Sequence, residues 1–166
     1  TTSTGSVQTP SLVETLNPLV TASQYGSALN MTTVDLANSG SQNVVVVGDF
    51  NGSGAHVNSK ITIFGWNNGQ LVDQTSQWFS GTDNVITGTA RLSFGNFNGN
   101  GRIGFYTATG TDGQASSSTA QIFINNGSSF TRYDVALPYA LDTQDNAVFR
   151  YNNIDNVVSV AYPYTE

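Results

Sequence analysis

The chain has 166 residues, of which 38% are hydrophobic and only 10% are charged, and its formal net charge is −6. This length and apolar content fit one globular domain with a real core and exclude a disordered chain. Lys and Arg together number five, so there is no basic cluster for nucleic acid or an anionic membrane surface. No apolar run approaches the roughly 20 residues of a membrane helix, and we expect neither nucleic acid nor a membrane as a partner.

The residue types favour strands and an extracellular location. Strong helix formers are scarce, whereas Val, Ile, Phe and Tyr are frequent, so we expect an all-β fold. The Lys-poor surface rich in Thr, Ser, Asn and Gly predicts a secreted or cell-surface protein. Three sequons supply candidate N-glycosylation sites at Asn30, Asn51 and Asn126. The chain has no cysteine and no visible signal peptide, which we interpret as a mature or excised chain.

Along the chain, polar loops followed by apolar strands recur with a period of about 60 residues. SLVETLNPL (11–19) resembles QLVDQTSQW (70–78), which lies 59 positions later. DLANSGSQNVVVV, from Asp35, resembles NFNGNGRIGFYTA, from Asn96, at an offset of 61. The last copy is NNIDNVVSVAY (152–162), in which Asn156 falls over Asn43 of the first copy. These matches predict one supersecondary unit used repeatedly.

Each complete unit is predicted to end in a β-hairpin. Asn-Gly between two apolar runs favours a type I′ turn, which needs positive φ at both central residues. The two pairs are Asn68-Gly69 and Asn126-Gly127, which lie 58 positions apart. Four short strands per unit fit the size of a propeller blade.

We therefore divide a single β domain, residues 1–166, into repeats. The predicted parts are the last strand of a preceding repeat (11–30), a first full repeat (31–90), a second full repeat (91–140) and the first half of a third (141–166). The alternative fold is an antiparallel β-sandwich, whose strand spacing is similar.

The loops and hairpins resemble the FG-GAP or VCBS-type repeat of integrin α-chain propellers and of many secreted proteins and lectins. That repeat reads D-x-N-x-D-G-x-x-D followed by three apolar residues, and then a G-x-V-x-I-F-x-N-N-G-like hairpin. The matching segments are DLANSGSQNVVVV (35–47), GDFNGSG (48–54), GNFNGNG (95–101), IFGWNNG (63–69) and IFINNG (122–127). The resemblance spans roughly residues 11–162 and implies propeller-type four-stranded blades in a ring of about seven, of which this chain holds about two and a half.

The resemblance also implies calcium at alternate loop positions, since Ca²⁺ takes six to eight hard oxygen ligands. The corresponding side chains here are Asp35, then Asp49, Asn51 and Ser53, and then Asn96, Asn98 and Asn100. The Asp49 loop fits the motif best, although the repeat alignment puts it between the second and third strands of its unit. Loops with zero or one carboxylate predict weak calcium binding or none, so we expect no cofactor and Asx-type turns instead, with calcium as the alternative.

Two tryptophans are the candidate ligand contacts. Trp66 lies beside a predicted hairpin turn, and Trp78 follows the predicted fourth strand. Tryptophan beside Asn and Asp is typical of sugar-binding surfaces, whereas burial between blades is the structural alternative. His56 is the only histidine and has no accompanying nucleophile motif, so we expect no enzyme.

These observations predict an extracellular binding or adhesion module whose loops present polar and aromatic groups to a glycan or protein partner. The alternative is a structural subunit that assembles into a ring or filament, as a homo-oligomer, by pairing its open terminal strands.

Overall fold

The structure is a computed structural model that describes residues 30–53, 56–87, 92–108, 118–137 and 141–163. These residues form antiparallel strands and one four-residue helix, which confirms the predicted all-β class. The propeller arrangement itself stays a prediction. The segment 11–30, predicted as a last strand, lies outside the described residues except for its final residue, Asn30, which begins β1.

The first sheet is an antiparallel meander in the order β1-β2-β3-β4, and β5 also pairs with β3. Its strands are β1 (Asn30–Val34), β2 (Asn43–Ser53), β3 (His56–Asn67), β4 (Gln70–Asp73) and β5 (Val85–Thr87). The helix α1 (Thr75–Trp78) follows β4, and the Thr75 side-chain oxygen accepts the N–H of Ile63 at 2.9 Å. The apolar run of β2 explains its central position, because Val45, Val46 and Val47 are all buried, as expected of a strand covered on both faces.

The second sheet repeats the four-stranded meander, and a two-stranded terminal hairpin follows it. The second sheet has the order β6-β7-β8-β9, with β6 (Ser93–Gly95), β7 (Gly104–Ala108), β8 (Ser118–Asn125) and β9 (Phe130–Leu137). The terminal hairpin pairs β10 (Leu141–Tyr151) with β11 (Ile154–Pro163). The described strands therefore fall into two sets of four with similar pairing, β5 added to the first, and a set of two.

The predicted turn at Asn68-Gly69 is confirmed, because φ is 50° at Asn68 and 82° at Gly69 and the flanking residues Asn67 and Gln70 pair directly. The second hairpin forms where expected, but the type I′ prediction at Asn126-Gly127 is wrong. There the loop has four residues, from Asn126 to Ser129, and of the predicted pair only the glycine has positive φ. The longer loop lets the Asn126 N–H donate to the Ser129 carbonyl at 2.9 Å.

A third hairpin turn was missed by the sequence analysis. Asn152 and Asn153 have φ of 49° and 62° and join β10 to β11 directly. Asparagine tolerates the left-handed region better than other non-glycine residues. Asn-Asn therefore forms here the two-residue turn that Asn-Gly forms between β3 and β4. The repeat alignment places Asn152 in a loop before a strand, and it does not identify that loop as a tight turn.

The two sheets and the terminal hairpin stack face to face. One face of the first sheet packs on the second sheet, and this core contains the following residues: Leu36, Val45, Val47, Ile61, Ile63, Trp78, Phe79, Ile86, Leu92, Phe105, Phe123 and Phe130. On its opposite face, the second sheet packs Tyr106 and Ala120 against Val157 of β11. The second sheet is thus covered on both faces, at least in part.

Residues that match between the repeats also point in the same direction relative to their own sheet. Val45 of the first sheet faces the second sheet, and the matching Tyr106 of the second sheet faces the terminal hairpin. The next match is Val158, which the strand register puts on the face of the hairpin that points away from the second sheet. Val158 is 50% exposed, because no described sheet follows the hairpin.

Candidate functional site

The loop after β1 is held by hydrogen bonds to the side chain of Asp35. Both carboxylate oxygens of Asp35 accept backbone N–H groups of its own loop, from Ser39 at 2.9 Å and from Gly40 at 2.6 Å. The N–H of Ser39 is the main cause that holds the pKa of Asp35 below its ordinary value of 3.8, and the N–H of Gly40 contributes. A carboxylate that already accepts these donors is positioned for a turn.

The loop from Asn96 to Gly101 contains two Asx turns, at Asn98 and at Asn100. The side-chain oxygen of Asn98 accepts the N–H of Asn100 at 3.2 Å, and that of Asn100 accepts the N–H of Arg102 at 2.9 Å. Asn96 is only 5% exposed, and its side-chain oxygen has no protein partner. The amides that were candidate calcium ligands at Asn98 and Asn100 therefore stabilise backbone turns.

The third candidate loop is a strand. The sequence predicted a polar loop at GDFNGSG, but residues Gly48 to Ser53 continue β2 and pair with β3, with a register shift between Asp49 and Asn51. The side chains of Asp49, Asn51, Ser53 and His56 lie outside the described part of the structure. Among the residues that are described, no group of three or more His, Cys, Asp and Glu could hold a metal ion.

The loops join neighbouring sheets to each other. Arg102 of the second sheet donates to the Ala37 carbonyl at 3.2 Å, and Asn38 of the first sheet donates to the Gly101 carbonyl at 3.4 Å. One layer further on, the N–H of Asn96 donates to the Asp155 carboxylate at 2.7 Å, and the Asn96 carbonyl accepts the N–H of Asp155 at 3.0 Å. The bond to Arg150, more than the N–H of Asn96, lowers the pKa of Asp155.

A groove beside these loops contains both candidate tryptophans. Its volume is about 440 Å³, and none of the described residues that line it is charged: Ala37, Ser39, Ser41, Gln42, Asn43, Gly65, Trp66, Gln74, Gln77, Trp78, Gly127 and Ser128. Hydroxyl and amide side chains supply both donors and acceptors of hydrogen bonds. The groove therefore combines neutral polar groups with indole rings.

The two tryptophans differ in burial and so in what they can do. Trp66, on β3, is 56% exposed and is available to a ligand. Trp78, at the end of α1, is 6% exposed, and its ring lies 5.4 Å from that of Phe130. Trp78 therefore packs in the core, as the structural alternative of a buried tryptophan predicted. It also contributes to the lining of the groove.

A partly buried pair of amide side chains lines the groove. The side-chain nitrogen of Asn43 donates to the Gln74 side-chain oxygen at 3.3 Å and to the Phe64 carbonyl at 3.4 Å. Gln74 lies directly over Gly65, where a Cβ atom would come within 2.0 Å of the Gln74 oxygen. Gln74 and Gln77 were not among the predicted residues, since only the fold brings α1 and the residue before it to Asn43 at the start of β2.

A larger depression of about 680 Å³ lies elsewhere along β3, and its lining includes Lys60, Asp73 and Asn84. Its described lining contains charged groups of both signs and one aromatic ring, that of Phe79, which is buried. The Asn84 side-chain nitrogen donates to the Ile61 carbonyl at 2.9 Å and so holds the loop before β5. The described lining of this depression therefore lacks the exposed ring and the neutral character that distinguish the groove.

The three sequons differ in their surroundings. Asn126 lies in an exposed loop, where its side chain donates to the Thr131 hydroxyl at 2.8 Å. Asn30 begins β1 and is half-buried, and Asn51 lies in the paired part of β2. Asn126 is therefore the one whose position in the fold suits an acceptor, because modification needs an exposed loop.

Comparisons with protein-family models, with curated proteins and with solved structures gave no match. Among the described residues, no helix is long and apolar enough to cross a membrane. The groove must therefore be interpreted from its own chemistry.

Proposed function

We propose that this chain is an extracellular, non-catalytic binding module of β-propeller type, and that it binds an uncharged glycan in the groove beside Trp66. The observation that carries the proposal is the 56% exposed Trp66 ring at a groove whose described lining residues are all uncharged. The apolar face of a pyranose packs against an aromatic ring, while its hydroxyl groups pair with neutral amides and hydroxyls.

The groove also supplies directional groups in fixed positions. Gln74 is held by Asn43 and by its own backbone N–H, which donates to the Ile63 carbonyl at 2.8 Å. Positions fixed before binding reduce the entropy cost of ordering side chains around a ligand. A neutral sugar suits this site better than an anionic one, since the part of the lining that the structure describes includes no Lys or Arg.

The stacking of the sheets supports the proposal that they are propeller-type blades. Two four-stranded antiparallel meanders pack face to face, and loops at the same position of each unit are hydrogen-bonded to the next. This is the kind of contact that neighbouring blades make in a propeller.

A glycan array followed by titration of the best hit tests the proposal. We expect neutral glycans to bind, Trp66→Ala to weaken binding at least tenfold, and Trp66→Phe to retain part of the affinity through its ring. Met31→Ala is the matched control, because Met31 is also exposed, at 69%, but does not line the groove. An array without any hit, or binding that Trp66→Ala leaves unchanged, would refute the proposal.

A further inference from the structure

The terminal hairpin presents an apolar face that is largely exposed, although Ile154 at its end lies beside Gly99 of the β6–β7 loop. Cross-strand pairing puts Ala147, Phe149, Tyr151, Ile154, Asn156 and Val158 on one face, which we name the outer face. Phe149 is 52% exposed and Tyr151 is 66% exposed. The charged pair Arg150 and Asp155 lies on the opposite face, toward the second sheet. The outer face is therefore large, aromatic and uncharged.

The second sheet has an uncovered apolar strip next to this hairpin. On β9, Tyr133 is 55% exposed and Val135 is 44% exposed. Their cross-strand partners are Ile122 and Ala120, which belong to the core shared with the hairpin. Tyr133 and Val135 therefore lie on the face of the second sheet that the hairpin covers in part, and we name them the strip.

The strip is uncovered because the hairpin is narrower than the sheet. β10 contacts β6, and in β11 the Ser159 hydroxyl lies 2.9 Å from the hydroxyl of Tyr106 on β7. The two strands of the hairpin thus cover the β6–β7 side of a four-stranded sheet. Tyr133 and Val135 of β9 are about half exposed, so among the described residues a notch about one sheet layer deep, roughly 10 Å, remains beside the hairpin.

We propose that two copies of this chain associate by mutual insertion, in which the hairpin of each copy enters the notch of the other. The outer face of one hairpin then packs on the strip of the second copy, and the same contact recurs in reverse. A second copy fits because one chain carries both a projecting hairpin and a notch in the same layer, and both surfaces are apolar and uncharged. This gives a closed, isologous dimer, and the inference goes beyond glycan binding and does not depend on it.

The exposed area is sufficient for such a contact, though only just. Three aromatic side chains, each more than half exposed, contribute on the order of 300 Å² per copy, and Val135, Ile154 and Val158 add on the order of 200 Å². The dimer would then bury roughly 1,000 Å² in total, which is near the lower limit for a specific interface. We therefore expect a dissociation constant in the micromolar range.

Sedimentation analysis over a range of about 5 to 500 µM, which brackets a micromolar constant, tests the proposal. The mass should rise from the monomer value of 17.6 kDa to twice that value. A monomer at every concentration would overturn the proposal, and so would a polydisperse series of larger species, because open-ended contacts make filaments.

Two single variants and their mixture identify the contact. Phe149→Glu and Tyr133→Lys should each remain monomeric and each keep the melting temperature of the wild-type monomer, since both side chains are exposed. Mixed in equal amounts, they should form a dimer, because the new Glu then meets the new Lys while the other contact is unaltered. Met31→Lys, an equal change at an exposed site outside both surfaces, should dimerise like the wild type.

The outcomes separate mutual insertion from simpler contacts. If Tyr133→Lys dimerises alone while Phe149→Glu does not, the hairpins stack on each other and mutual insertion is wrong. If the mixture stays monomeric although each variant is folded by circular dichroism, the reciprocal contact is also wrong.

Discussion

Asn125 is a small side chain whose removal should substantially lower the free energy of unfolding. Its amide is 2% exposed, and its nitrogen donates to the Leu36 carbonyl at 2.8 Å and to the Ile103 carbonyl at 2.9 Å. Its oxygen accepts the N–H of Gly127 at 2.7 Å. One amide thus ties the second sheet to the first sheet and to its own β6–β7 and β8–β9 connections.

Asn125→Ala removes all three hydrogen bonds and leaves two carbonyls and one N–H without a partner. Each hydrogen bond contributes about 1 kcal/mol net, and a buried group left unpaired costs about 1–3 kcal/mol. Gly127 is half-buried, so water can reach its N–H, and we expect a loss of about 3 kcal/mol in the free energy of unfolding. Asn125→Asp should be at least as harmful, since a carboxylate oxygen would face two carbonyl oxygens.

Urea unfolding followed by tryptophan fluorescence measures this loss, because Trp78 is buried in the native state. The matched control is the neighbouring Asn126→Ala, in protein made without glycosylation. Asn126 is exposed and makes one surface bond to Thr131, so its loss should cost about 0.5 kcal/mol or less. If the free energies of unfolding of the two variants agree within about 1 kcal/mol, the hydrogen bonds of Asn125 do not stabilise the contact between the sheets as inferred.

Three further perturbations follow from the structure. Gly104→Ala should destabilise the protein by more than about 2 kcal/mol in the same assay, because its Cβ would come within 2.3 Å of the Phe123 carbonyl oxygen; an unchanged midpoint would contradict this. Asp155 has a lowered pKa, so its carboxylate stabilises the native state above pH 3.8 and this contribution is lost as the pH falls through the native-state pKa. The difference in melting temperature between wild type and Asp155→Asn should therefore be constant near neutral pH and shrink below pH 3.8, whereas a gap independent of pH would contradict the ion pair. Calcium at millimolar concentration should leave the melting temperature where a chelator leaves it, and a rise would show that a loop binds the ion.

The features that could be predicted from the sequence are the local and periodic ones. Asn68-Gly69 specifies its turn through the φ angles of two residues, which neighbours do not override. Val45 and Tyr106, which match at the offset of 61, each point toward the sheet that follows their own. The match predicts this because a strand in an unchanged register presents the same side chains to the same face. Local chemistry and period were therefore sufficient for this turn and for the facing of these two strands.

The features that could not be predicted depend on contacts between distant segments. Asn125 and Leu36 are 89 positions apart, and nothing in IFINNG distinguishes the buried Asn125 from the exposed Asn126. GDFNGSG has loop composition, yet pairing with β3 makes it a strand, so tertiary context prevailed over propensity. Of the groove residues, Trp66 was a candidate ligand contact from the sequence. Gln74 and Gln77 could not be, because they reach the groove only through the position of α1.

The loops show how this chain differs from a calcium-loaded repeat in physical terms. A loop that binds an ion directs its oxygens inward, whereas here Leu36 and Ala37 direct carbonyls outward to Asn125 and Arg102 of the next sheet. Asn98 and Asn100 then hold the turn that positions Arg102. Amides suit both tasks because they donate and accept without the repulsion that clustered carboxylates would suffer in the absence of a cation. The amides at Asn98 and Asn100 therefore hold a loop that contacts the neighbouring sheet, and placing Asp at both positions should lower the melting temperature before it creates an ion site.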